Sequence, residues 1–309
     1  MKKGRRAPGR RLLRALGTLG AVAALALLAA GCSRAGSPAA SGPLRVFAGI
    51  PPLQDFVEAV GGSRVEAEAL VAPGQDPHTY EPTPQQVARL ARSRLFFLSG
   101  FPFENALVSR LRSTMPDLAM VDTREGIALR AMEEHEQGEE GRTEEEGADP
   151  HVWMSPLLAM RQAQTIRDAL VREDPAGERI YRANYERFAS ELQDVHRELA
   201  RTLAPLRGRE MLVYHPAFGY FAAEYGLKQV AVETGGRQPS ARELSGLIRL
   251  ARERRIRVVF VQPQFSQAGA RAVAEAIGGA VVPLDDLPRD YLANLRDMSR
   301  KVREALATP

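Results

Sequence analysis

A single cysteine among 309 residues removes internal disulfides from any account of this fold, even in an oxidising compartment. Stability must come from packing, and a chain that is 44% hydrophobic and 26% charged has the material for one large or two medium domains. Acids are missing from the first fourteen residues, where Lys2, Lys3, Arg5, Arg6, Arg10, Arg11 and Arg14 stand. Charge of either sign is then missing from residues 15–33, a stretch rich in Ala and Leu. Together these form the basic and apolar regions of an export signal. The apolar stretch is borderline in length for a retained membrane anchor, but it closes on small residues, Ala29, Ala30 and Gly31, which favour cleavage. Taking the seven leader charges from the net +4 leaves −3, so the sequence pI of about 9.4 describes the export signal. It gives no reason to expect nucleic-acid binding.

The small residues stand directly before Cys32, an ending that resembles a bacterial lipobox, in which the cysteine is lipidated and becomes the new N-terminus. Residues 1–31 are read as the lipoprotein signal and 32–43, rich in Ser, Ala, Gly and Pro, as a flexible tether. The folded part is expected from Leu44. Short apolar runs at 44–50, 65–72, 95–99 and 118–121 alternate with helical patterns, which is the signature of an α/β unit with a mainly parallel sheet. A second set of runs at 211–214, 230–233, 258–261 and 280–284, with helices expected at 216–225, 240–254 and 267–277, makes a second such unit. The chain therefore divides into an N-terminal lobe over 44–177, a linking helix over 178–204 and a C-terminal lobe over 205–309. No Gly or Pro interrupts 178–203, where Ile180, Tyr185, Phe188, Leu192, Val195, Leu199 and Leu203 share one helical face. Within the first lobe, residues 132–149 hold nine acids against Arg142 and almost no apolar side chain, so they are expected to form a mobile surface loop.

Histidine is scarce too, with five in the chain. Three occupy one kind of place. His78 follows Pro77 in a turn region after an expected strand; His151 follows Pro150 beside the only tryptophan; His215 ends an expected strand and precedes Pro216. The C-terminal edges of strands are where open α/β sheets build ligand sites, and imidazole is the side chain most often used for zinc and its neighbours. A lone histidine so placed is commonly a surface or capping residue; three at equivalent ends point to a shared metal site. His196, in the long helix, reads as a helical surface residue, and His135, in the acidic loop, as solvated. A tetrahedral site needs a fourth donor, and Asp285 is best placed, at the end of the run 280–284, with Asp286 as its competitor.

Four blocks, residues 71–85 (VAPGQDPHTYEPTPQ), 149–156 (DPHVWMSP), 214–226 (YHPAFGYFAAEYG) and 260–287 (FVQPQFSQAGARAVAEAIGGAVVPLDDL), resemble those of the zinc- and manganese-binding substrate-binding proteins of ABC transporters. The similarity runs in order through nearly all of the chain after the leader. It implies two α/β lobes joined by one long rigid helix, with the metal in the cleft between them, and it carries ligand roles onto His78, His151, His215 and Asp285. It also implies an ABC permease as partner, a lipid bilayer reached through the anchor at Cys32, a monomer facing the periplasm or cell exterior, and no enzymatic activity. The transported ion is expected to be Zn2+, with Mn2+ second, because three imidazoles and one carboxylate offer manganese few oxygen donors. The chain departs from the family in two places. Many zinc-selective members carry a histidine-rich loop before the second ligand, where this chain has acids and His135. Gln262 stands where relatives often have Glu.

Two other classes are weighed against this reading. A zinc hydrolase would find its best local support in His78-Thr79-Tyr80-Glu81, but a His-x-x-Glu-His motif would need histidine at position 82, which is Pro82. A surface adhesin would leave the four blocks without a purpose, although a dual role is compatible with them.

Overall fold

The computed structural model describes residue 1 and residues 42–132, 147–233 and 239–307. The expected export signal after Met1, Cys32, most of the expected tether, and most of the acidic loop with His135 lie outside the described residues. Residues 43–309 belong to one compact unit.

Strand β1 (Leu44–Ala48) leads into helix α1 (Pro51–Gly61), followed by β2 (Val65–Ala69), α2 (Pro84–Leu90), β3 (Leu95–Leu98), α3 (Pro102–Thr114) and β4 (Ala119–Asp122). These strands pair in parallel in the order β2-β1-β3-β4. Helix α4 (Pro156–Glu173) then packs against α5 (Glu178–Leu203), from which the chain enters the second lobe. There β5 (Glu210–Val213), α6 (Gly219–Tyr225), β6 (Lys228–Ala231), α7 (Ala241–Glu253), β7 (Val258–Val261), α8 (Gln267–Ile277) and β8 (Ala280–Pro283) build a second parallel sheet, ordered β6-β5-β7-β8. The last helix, α9 (Tyr291–Ala307), returns along α5. Among the described residues no helix is long and apolar enough to cross a membrane.

Local chemistry sets these boundaries. Helices α1, α2, α3 and α4 each carry a proline in the first turn, where its fixed φ suits the helix and its missing N–H costs nothing. Thr83 and Gln86 form a reciprocal cap at α2, Ser240 and Glu243 another at α7, and the Ser155 hydroxyl accepts from the Leu158 N–H at α4. At the other end, Gly226 and Gly278 stop α6 and α8 in the left-handed conformation, φ 73° and 65°, which costs a residue without Cβ nothing.

At 26 residues, α5 spans about 39 Å. Its buried face is Tyr181, Phe188, Leu192, Val195, Leu199 and Leu203. Ile180, expected on that face, is 39% exposed, and its neighbour Tyr181 takes its place, with the phenol donating to Asp174 at 2.6 Å. The sides of α5 thus meet both lobes, and one apolar cluster runs from Phe56 and Phe97 in the first lobe through Phe188 and Leu199 to Phe221 and Leu284 in the second. A smaller cluster, including Leu212, Val259 and Val273, lies with the second sheet. In both sheets the chain order reverses, between β1 and β3 and between β5 and β7, so the loops leaving those neighbouring strands diverge and open a crevice at the C-terminal edge.

Candidate metal centre

The three histidines at strand or loop ends arrive at this edge by different routes. His78 sits in the irregular segment between β2 and α2. There Asp76 closes a local turn, one carboxylate oxygen accepting the His78 N–H at 2.9 Å and the other the Thr79 hydroxyl at 3.0 Å. The Tyr80 hydroxyl ties the segment back to the Leu70 carbonyl at 2.6 Å. His151 precedes a single helical turn, Val152–Met154, that leads into α4. His215 lies two residues beyond β5, at the reversal point of the second sheet, and its carbonyl accepts from the Gln262 amide at 3.1 Å.

One nitrogen from each of the three rings lies within 4.8 Å of the other two. Ring centroids are 4.6 Å apart for His78 and His215, and 5.4 Å for each pair that includes His151. The Nε2 atoms of His78 and His215 are buried without a hydrogen-bond partner among the described residues. A buried imidazole nitrogen left unpaired is costly unless something else supplies its partner. Aromatic rings wall the group in. Phe265 stacks on His215 with centroids 4.3 Å apart and planes 13° apart, and Phe101 forms a T-shaped pair with His78, centroids 5.0 Å apart.

Two carboxylates orient two of the rings. Asp149 accepts from His151 Nδ1 at 2.7 Å and from the His151 backbone N–H at 3.0 Å. Glu233 stands 3.3 Å from His215 Nδ1. When ionised, each carboxylate only accepts, so the proton of its ring is then drawn to Nδ1 and the lone pair is left on Nε2. Such carboxylate–histidine pairs fix ring orientation and raise the basicity of the free nitrogen. Asp149 was expected among the solvated acids of residues 132–149, yet it is 2% exposed. The ends of that loop are held together, Ala131 bridging Ala148 in antiparallel fashion and Asp149 donating its N–H to the Arg130 carbonyl, so its last acid is drawn inward.

Burial also sets the protonation states. It drives His78 down to about 3, helped by repulsion from His151, and drives His215 well below its usual range, helped by His78 and His151. These two rings are neutral across the physiological range. Burial pushes the Glu233 carboxyl up to about 7, with the Asp76 charge adding to the rise. It does the same to Asp286, where His151 opposes the rise and Asp285 adds to it.

Asp285 is not one of the group of three. Its Oδ1 accepts the Leu287 N–H at 2.9 Å and its carbonyl accepts from the Asn294 amide at 2.8 Å. Asp286 is the buried member of the pair, 3% exposed, with its carboxylate taking the Gln264 amide at 3.1 Å. His196 is part of a half-exposed contact with Glu224 and Tyr225, away from the three. Glu233 went unnoticed in the sequence. The signal for it was its place just past β6, the strand beside β5, which puts it next to whatever follows β5. Gln262, which stands where relatives often have Glu, is fully buried and donates to the His215 carbonyl.

Two parallel α/β sheets braced by one long helix, with imidazoles converging from both halves, define a two-lobed binding protein. The chain belongs to the family described as zinc-uptake complex component A, periplasmic, whose model matches residues 46–305. It is 32% identical over 276 residues to the high-affinity zinc uptake system protein ZnuA of Bacillus subtilis strain 168, with 86% of each chain covered. It is 27% identical over 262 residues to the manganese-binding lipoprotein MntA of Halalkalibacterium halodurans, covering 82% of this chain and 83% of the relative. Among solved structures, the crystal structure of ZnuA superposes with a TM-score of 0.80 at 38% identity, covering 85% of this chain and 99% of the other. A ZnuA deletion mutant with zinc bound gives 0.78 at 37% identity, covering 85% and 98%.

Proposed function

We propose that this protein is the extracytoplasmic solute-binding component of an ABC transporter, capturing Zn2+ between its lobes and handing it to a membrane permease. The observation that carries the reading is the convergence of His78, His151 and His215 from both lobes, with two buried Nε2 atoms that have no protein partner among the described residues. Three imidazoles suit zinc, and the general affinity order places zinc above manganese at such a site. The names of the zinc- and manganese-binding relatives agree with a transition-metal cargo. The function is capture and release, without chemical turnover.

The fourth donor is assigned to Asp285. Its carboxylate is engaged in a local turn with Leu287, which it can give up, whereas Asp286 is buried and pinned by the Gln264 amide. Before the lobes, the lipidated Cys32 would tether the protein to the outer face of a membrane, and the permease would release the ion by disturbing the ligands of one lobe. Titration of the metal-free protein with zinc and manganese, followed by native mass spectrometry, tests the site. One tightly held zinc, lost in His151→Ala and weakened more in Asp285→Asn than in Asp286→Asn, supports it. Undiminished zinc retention in a variant lacking His78, His151 and His215 overturns it.

A further inference from the structure

The segment that carries the acidic pair belongs by sequence to the second lobe, yet much of its hydrogen bonding is to the first. The indole Nε1–H of Trp153 donates to the Asp286 carbonyl at 2.6 Å, joining residues 133 positions apart. The Trp153 carbonyl in turn accepts from the Tyr291 hydroxyl. On α1, Asp55 accepts the Tyr291 N–H at 3.3 Å and Glu58 meets Arg289 at 3.0 Å. Trp153 is therefore bonded near both ends of residues 286–291. Its other neighbours belong to the metal centre: the indole lies against His151, centroids 5.3 Å apart, and against Phe101 at 5.9 Å. It is fully buried, two residues after His151, in the turn that starts α4.

From this geometry we propose that Trp153 is a positioning residue for the metal centre, one that fixes Asp285 and Asp286 relative to His151 across the lobe boundary. The inference rests on the metal-binding reading above. A buried indole N–H bonded to a main-chain carbonyl sets the path of the backbone itself, so both acids that follow β8 take their place from a side chain of the other lobe. The exposed Arg289–Glu58 pair contributes little by comparison. The acidic pair then acts as part of the half-site that contains His151, and a bound ion feels a fixed charge rather than a wandering one. Weakening this tie lengthens the average distance between the acids and the ion, which speeds release more than it slows capture.

The test measures zinc dissociation from the full chain by chasing with a metallochromic chelator in stopped flow. Trp153→Phe keeps a ring and removes the N–H donor, and should raise the dissociation rate by about tenfold, the range seen when supporting residues of metal sites are lost. The deciding readout is a double-mutant cycle with the acidic pair neutralised, Asp285→Asn with Asp286→Asn. If Trp153 positions the acids, neutralising them costs much less in the Trp153→Phe background than in the wild type. Tyr291→Phe, which deletes only the hydroxyl bonded to the Trp153 carbonyl, should show the same non-additivity in milder form and serves if Trp153→Phe does not fold. Full additivity in both backgrounds overturns the inference and leaves Trp153 a packing residue. So does a wild-type dissociation rate that is unmoved when the acids are neutralised, since nothing would then need positioning. A wild-type chain that holds no zinc overturns the metal reading itself, which keeps the two failures apart.

Discussion

At the scale of single residues, the candidate centre separates its proposed ligands from the groups that can store protons. His78 has its pKa driven down to about 3, while Glu233 and Asp286 are pushed up to about 7. An arriving cation favours the ionised carboxylate and so lowers those raised values. Near neutral pH, then, the protons expelled on metal capture should come from the carboxyls and not from His78 or His215. The sign follows: zinc affinity should increase with pH up to about 7, where the carboxyls are already ionised without metal, and level off above. Calorimetry in buffers of different ionisation enthalpy counts these protons; Glu233→Gln should reduce the count at about pH 6 and flatten the affinity profile. An unchanged count would assign the protons elsewhere. The histidines themselves were legible in the sequence because proline and strand ends marked all three. Their carboxylate partners were legible only in part. Asp149 is two residues from His151 and local, but Glu233 meets His215 only through the pairing of β5 with β6, and sheet neighbours are not written in sequence separation.

At the scale of elements, the turn after β3 shows how a buried charge holds an irregular segment. The Glu104 carboxylate, on α3, accepts from the N–H groups of Ser99, Gly100 and Phe101 and from the Ser99 hydroxyl, at 2.5 to 3.1 Å. Gly49 leaves room for it, since a Cβ there would fall 1.8 Å from Glu104 Oε1. The segment so held ends in Phe101, which forms the T-shaped pair with His78. Glu104→Ala strands three buried donors and should destabilise the protein by about 3 kcal/mol in denaturant unfolding. It should also weaken zinc binding, because Phe101 no longer confines His78; full stability and affinity in this variant would show that the turn holds itself. Elements of this kind are only half legible. Strand and helix spans follow from apolar runs, prolines and capping residues, and the long helix matches its uninterrupted periodicity. That Glu104 turns inward is invisible in the sequence, where it reads as one more surface acid.

At the scale of the molecule, the main apolar cluster passes from one lobe to the other along α5 without a break. Opening the lobes widely would expose that cluster, so metal-linked motion should be confined to sliding and loop shifts on the order of 1–2 Å. Small-angle scattering should therefore find almost the same radius of gyration with and without zinc; a change of several ångströms would mean that α5 bends. Stability should respond more than shape does. A ligand bound only by the native state, at a thousandfold excess over its dissociation constant, adds about 4 kcal/mol. For a folded unit of this size that is a rise of roughly 10 °C in the unfolding midpoint, which differential scanning calorimetry would read directly. The parallel order of both sheets and the bracing helix were expected from the alternating pattern. The bonds that tie Arg289 and Tyr291, at the start of α9, to the first lobe were not, because those contacts join residues far apart in the chain.

The seat of Trp153 has one more consequence. It is the only tryptophan in the chain, and its indole lies 5.3 Å from the ring of His151. The protein thus carries its one indole fluorophore beside the histidine cluster, in a spot where emission is sensitive to the charge and protonation of its neighbours. Occupancy should be readable from native fluorescence alone, unlabelled, in the same sample that is being handed to a transporter.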